Sequence, residues 1–195
     1  MTFSDYTTYL TTALGSVDVG QIEAFTAVLF DAWQRGAMVF VIGNGGSAAN
    51  ASHLAQDLAK GTCATVDQQR RLRALSLTDN VAFMSALGND EGYDSIFVQQ
   101  LRTFCSPGDV LVAISGSGNS PNVLRAVEYA GANGVTTVGV TGFDGGRLYD
   151  MIDHKVHVPL HDMCTAESIH SIIFHHVILD LRERIADALR QTTGA

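Results

Sequence analysis

Proline is scarce in this sequence, at 3 in 195 residues, so long stretches can run as unbroken helix and strand. Cysteine is nearly absent too. Cys63, Cys105 and Cys164 are odd in number, far apart and without CxxC spacing. That excludes a disulfide framework and reads as reduced thiols in the cytoplasm. No apolar run reaches about 18 residues, which removes a membrane partner from the expectations, and the start, MTFSDYTTYL, is too polar for a signal peptide. Positive charge is short: the net charge is −8, so a general electrostatic grip on nucleic acid is not expected. One further absence is local. From Thr103 to Leu124 there is no Lys or Arg, yet this stretch holds the richest glycine-serine segment, ISGSGNS. A small anion is still a possible ligand there, because binding depends on the local site rather than on net charge.

What is present is 46% hydrophobic and only 16% charged, which suits one compact α/β domain over residues 1–195. Helices are expected at 3–14, from Asp18 to Arg35, from Ser47 to Lys60, after Asp79, at about 94–104, from Ser120 to Ala132 and from Cys164 to Leu189. Strands are expected at 37–42, 73–77, 109–114, 135–141 and 154–158. A helical pair at 1–35 thus precedes alternating strands and helices, with a long final helix. Such alternation predicts a doubly wound five-stranded parallel sheet flanked by helices, an α/β/α sandwich, with ligands at the carboxyl ends of strands. The apolar stripe from Ile22 to Trp33 is read as a candidate surface for a partner subunit.

Two glycine-rich loops follow strands. Asn44, Gly45, Gly46 and Ser47 form one; Ser115, Gly116, Ser117, Asn119 and Ser120 belong to the other. A strand end running into a helix start offers unpaired amides and the positive end of a helix dipole. Serine hydroxyls donate to phosphate oxygens, and Ser120 before Pro121 is placed to cap the helix. Together these features can hold a phosphate without a cation. The alternative is an ordinary serine-capped turn. Gly43, Gly45 and Ala48 also fit a dinucleotide fingerprint, but the acid expected about 20 residues on is missing. Asp79 stands 34 residues beyond Gly45, so no nucleotide cofactor is expected.

Titratable residues collect on two helices. His53 and Asp57 are four apart and share a face. Glu167 and His170 are three apart, and His175 lies about 80° around from Glu167. The alternatives are a surface ion pair and histidines buried in an oligomer interface. His161, Cys164 and His170 are too loosely spaced for a metal site.

The segments GNGGSAANASHLAQDLAKG, SLTDN, ISGSGNSPNVLRAVEYA, GVTGFDGG and AESIHSIIFHH together resemble the sugar isomerase (SIS) domain, and within it the phosphoheptose isomerase branch. The resemblance covers about residues 20–182. It implies an aldose–ketose isomerase acting on sedoheptulose 7-phosphate through an enediol. Asp57 and His175 are then the acid–base pair. His53, Asp57, Glu167 and His175 are implied as ligands of one zinc ion per active site. Asn89 and Asp90 are implied contacts to sugar hydroxyls, and Glu167 also faces substrate. The family's homotetramers, with active sites shared across subunits, imply that His175 meets Asp57 of a neighbouring chain. Two residues depart from the family pattern: Asp57 replaces a usual Glu, and Glu167 a usual Gln. These departures leave open an isomerase of another sugar phosphate. A non-catalytic SIS protein that senses sugar phosphates is the other alternative.

Overall fold

The structure is a computed structural model that describes residues 1–193. Its first helix, α1 (Phe3–Leu14), starts at a capping box in which Thr2 and Asp5 exchange side-chain and backbone hydrogen bonds. The threonines that weaken it as a helix turn their hydroxyls onto carbonyls three or four residues back. Asp18 caps α2 (Val19–Arg35) through the Gly20 amide at 2.8 Å.

Five strands form one fully parallel sheet: β1 (Met38–Gly43), β2 (Arg73–Ser76), β3 (Val110–Ser115), β4 (Thr136–Thr141) and β5 (His154–His157). Their order is β2-β1-β3-β4-β5. Between β1 and β3, where Val39 pairs with Val110 and Gly43 with Ile114, the direction of winding reverses. At such a switch point the loops leaving the two strands diverge and open a crevice. Both glycine-rich loops leave from this point.

Alternation along the central strands sends side chains into two cores. Val39, Val41, Val110, Val112 and Ile114 face α2, α3 (Gly46–Gln56) and α7 (Met163–Thr193). Phe40, Ile42, Leu111 and Ala113 face α4 (Val81–Asp90), α5 (Val98–Phe104) and α6 (Pro121–Ala132). The sandwich is the one the alternation predicts.

The stripe on α2 is not a partner surface. Phe25, Leu29 and Ala32 are wholly buried against α7 and the sheet, and Trp33 nearly so. Phe25 and Leu29 each contribute about 1.5–3 kcal/mol by leaving water. Periodicity identifies an apolar face but not what covers it, and here α7, longer than expected, supplies the cover. Two other helices depart from expectation. The helix expected at 94–104 is a short 3-10 turn, Tyr93–Ser95, followed by α5. The helix expected to run from Ser47 to Lys60 ends as α at Gln56, and Asp57–Gly61 forms a π turn.

Candidate active site

The serine loop is built by backbone. Ser115 ends β3 buried, and its hydroxyl lies 3.4 Å from that of Ser120. Ser120 occupies the N-cap position of α6, with Pro121 next, but its side chain makes no capping bond. The expected serine cap is therefore absent, and the hydroxyl is left for a ligand at the positive end of the helix. The segment after β4 pins the loop from behind. Gly142 donates to the Gly116 carbonyl at 2.9 Å, and Leu148 to the Gly118 carbonyl at 2.9 Å. At Gly118, φ is +63° and a Cβ would overlap the Gly145 backbone, so only glycine fits. Asn119 is occupied: its amide donates to the Ser117 carbonyl at 2.9 Å and accepts from the Arg147 amide at 3.2 Å. It fastens the loop rather than reaching out of it.

The loop after β1 closes the other side. Gly45 turns the chain into α3, whose N-terminus has no side-chain cap. Asn44 does not hang free. It and Asn122 exchange amide hydrogen bonds at 2.9 Å in both directions, and the Tyr93 hydroxyl donates to Asn44 Oδ1 at 3.0 Å. The two loops are thereby locked together across the switch point. Gly46 packs against the Glu167 carboxylate so closely that a Cβ there would overlap it. Between the loops lies a cavity of about 140 Å³, lined by Asn44, Ser47, Ser115, Ser117, Ser120 and Glu167 among others.

A second compartment lies further along α3 and α7. His53 Nε2 is 3.2 Å from Asp57 Oδ2, and His175 Nε2 is 4.0 Å from the same oxygen. The imidazoles meet edge to face at 5.1 Å. Both are about half exposed, whereas Asp57 is 21% exposed. Asp57 opens the π turn, a widened turn that often marks functional sites in helices. All three residues belong to one chain, so the expected meeting of His175 with a neighbour's Asp57 is not needed.

The ligand atoms of His53, Asp57 and His175 lie within 4.8 Å of one another, and this group can hold a metal ion. Tetrahedral zinc with bonds of ~2.0–2.2 Å has ligand–ligand edges of about 3.4 Å, which the 3.2 and 4.0 Å separations bracket. Two imidazoles, a carboxylate and an open position make a suitable donor set. Glu167, the implied fourth ligand, is not in this group. It precedes His175 by eight residues, about 12 Å along the helix axis, and its carboxylate stands over Gly46 in the first compartment.

Asn50 and Ser171 join the compartments. Asn50 donates to the Glu167 carbonyl at 3.2 Å and accepts from the Ser171 hydroxyl at 2.7 Å. Neither residue is singled out by the sequence reading, nor are Asn122 and Tyr93. Ser171 stands four beyond Glu167, a spacing that would have revealed it; Asn122 carries no local signal. Asn89 and Asp90 sit exposed at the end of α4, with Asn89 donating to Asp90 at 2.7 Å. Asp79 accepts from Ser52 and so ties the tip of β2 to α3. His170 turns inward. Its Nε2 donates to the Thr141 carbonyl at 3.1 Å, and burial pushes its pKa down to about 4, so the ring is neutral.

An open parallel sheet of this order, with glycine-serine strand tips at its point of reversal, defines a class of protein, the SIS domain. That family matches residues 2–142, and the chain belongs to it. Within it the chain belongs to the phosphoheptose isomerases. It is 37% identical over 160 residues, 82% of either chain, to the phosphoheptose isomerase of Aliarcobacter butzleri. The phosphoheptose isomerase GmhA from Neisseria gonorrhoeae superposes with a TM-score of 0.84 at 28% identity, covering 92% of this chain and 96% of that one. A phosphoheptose isomerase from Francisella tularensis gives 0.86 at 27%, covering 94% and 100%.

Proposed function

We propose that the chain isomerises sedoheptulose 7-phosphate to D-glycero-D-manno-heptose 7-phosphate. The observation that carries this reading is the pairing of two compartments: a hydroxyl-lined anion cavity and, two turns of α7 away, Asp57 between two histidines. In this ketose the phosphate and the carbonyl stand at opposite ends of the sugar, as the two compartments do.

The serine loop receives the phosphate through Ser115, Ser117 and Ser120 and the amides of Gly116 and Asn122, since Pro121 has no N–H and the Val123 and Leu124 amides are taken by the Ser120 carbonyl. Asn44, Gly45, Gly46, Ser47, Asn89 and Asp90 border the sugar chain. Asn119 acts on the phosphate loop from behind. Asp57 Oδ2 takes the proton from C1, and His175 Nε2 gives one to the C2 oxygen, forming the enediol. Return of a proton to C2, with loss of the O1 hydroxyl proton, yields the aldose. His53, 3.2 Å from Asp57, holds its carboxylate in place. A zinc ion held by His53, Asp57 and His175 would engage these same atoms; it would supply Lewis-acid polarisation of the carbonyl in place of the proton from His175, with the second Asp57 oxygen left as the base.

The chain acts as one SIS domain, in the cytoplasm, where its three unpaired cysteines stay reduced. The exposed Ile172 and Leu179 on α7 suit burial in a homotetramer. Incubation of the untagged protein with a panel of phosphosugars in heavy water tests the reading. Conversion of sedoheptulose 7-phosphate with deuterium at C2 supports it; exchange with no phosphosugar contradicts it.

A further inference from the structure

The anion cavity carries an internal contradiction. Its lining includes no Lys or Arg, and its one charged side chain is an acid, Glu167. The chain on both sides of the serine loop supplies no cation from Thr103 to Leu124. The Glu167 carboxylate is held over Gly46, in the first turn of α3, where no side-chain cap competes for the free amides. A carboxylate is favoured at that end of a helix dipole. It therefore occupies the anion-favouring end of α3, leaving the serine loop and α6 as the positive pole for the ligand. Two like charges in one small cavity repel each other, and the partly enclosed lining screens them less than open water does.

We infer that Glu167 holds down the affinity of the cavity for every phosphate ligand. The inference rests on the isomerase reading and deepens it. Any dianionic ester entering at Ser115–Ser120 does so against this charge, and binding energy must come from the rest of the sugar. Free phosphate and short phosphate esters, which lack contacts along the second compartment, are then held too weakly to fill the cavity at low concentration. A phosphate cavity with a neutral amide at this position would take them readily. The carboxylate thus lowers the affinity of long and short phosphate ligands by a similar factor, so that a phosphate alone no longer suffices for tight binding.

The test is titration calorimetry of the metal-free protein with two probes, inorganic phosphate and sedoheptulose 7-phosphate. The wild type is compared with Glu167→Gln, which keeps the shape and removes the charge. Glu167→Gln should bind inorganic phosphate about 10-fold more tightly, a difference equal to one 1.4 kcal/mol step. The gain for sedoheptulose 7-phosphate should be of the same order, so both compounds enter the same cavity. The gap between the proteins should narrow from about 0.01 M to 0.15 M salt, as repulsion between charges requires and loss of a hydrogen bond does not. Equal or weaker phosphate binding by Glu167→Gln overturns the inference while sedoheptulose 7-phosphate still binds and the isomerase reading stands. Failure of both proteins to bind sedoheptulose 7-phosphate overturns the inference and that reading together.

Discussion

The serine loop and the His53–Asp57–His175 group face the same crevice but are made in opposite ways. The loop is contiguous, largely buried and fixed by backbone bonds to the segment after β4. The group is assembled from two helices, with its histidines half exposed and His175 118 positions beyond Asp57 in the chain. A phosphate needs a fixed ring of donors and gains from pre-paid order. Proton transfer needs side chains that change protonation and reach the substrate, so some freedom is retained. The difference teaches that binding and chemistry here are separable, and it can be broken by substitution.

The largest effect is expected in the second compartment. Asp57→Asn and His175→Ala should each lower kcat by about 10²–10⁴-fold, the usual worth of a positioned acid or base. Calorimetric binding of sedoheptulose 7-phosphate and the thermal midpoint should stay near wild type. Loss of binding in both variants would erase the division of labour.

His170 links the two regions, because it fastens α7, which bears His175, to the Thr141 carbonyl at the tip of β4. Its pKa is about 4 when folded against an ordinary value of 6.5. Above pH 6.5 the ring is neutral in both states and costs nothing. As the pH falls from 6.5 to 4 the unfolded chain takes up the proton first, so stability is lost in that window. The loss approaches about 3 kcal/mol. Urea titrations across this range should show it, and His170→Gln should flatten the slope.

Gly118→Ala tests the rigid side. A side chain at φ +63° against the Gly145 backbone costs roughly 1–3 kcal/mol, and the thermal midpoint should fall by roughly 2–4 °C per kcal/mol. Smallest of all, Ser120→Ala should raise KM about 10-fold with kcat nearly unchanged, the loss of one hydrogen bond to a charged group. A fall in kcat alone would show that the loop takes part in chemistry.

The same contrast explains what was legible in the sequence. The parallel sheet follows from the alternation of strands and helices, and the serine loop from residues adjacent in the chain; the strand order does not. The pairing of His53 with Asp57 is a helical spacing and can be read directly. That His175 joins them depends on how α7 lies across α3, which no local pattern encodes. Glu167 and His175 are cofacial enough to suggest one cluster, yet the rise of the helix divides them between compartments. The π turn at Asp57 and the Asn44–Asn122 clasp are tertiary outcomes: neither has a propensity signature. The stripe from Ile22 to Trp33 shows the converse, an apolar face plain in sequence whose cover only the fold reveals.

The most direct measurement is a crystal structure of Asp57→Asn with sedoheptulose 7-phosphate bound. The account predicts phosphate oxygens about 3 Å from the hydroxyls of Ser115, Ser117 and Ser120, with C1 and C2 between residue 57 and His175. Phosphate seated away from residues 115–120, or C1 and C2 turned away from His175, would contradict it.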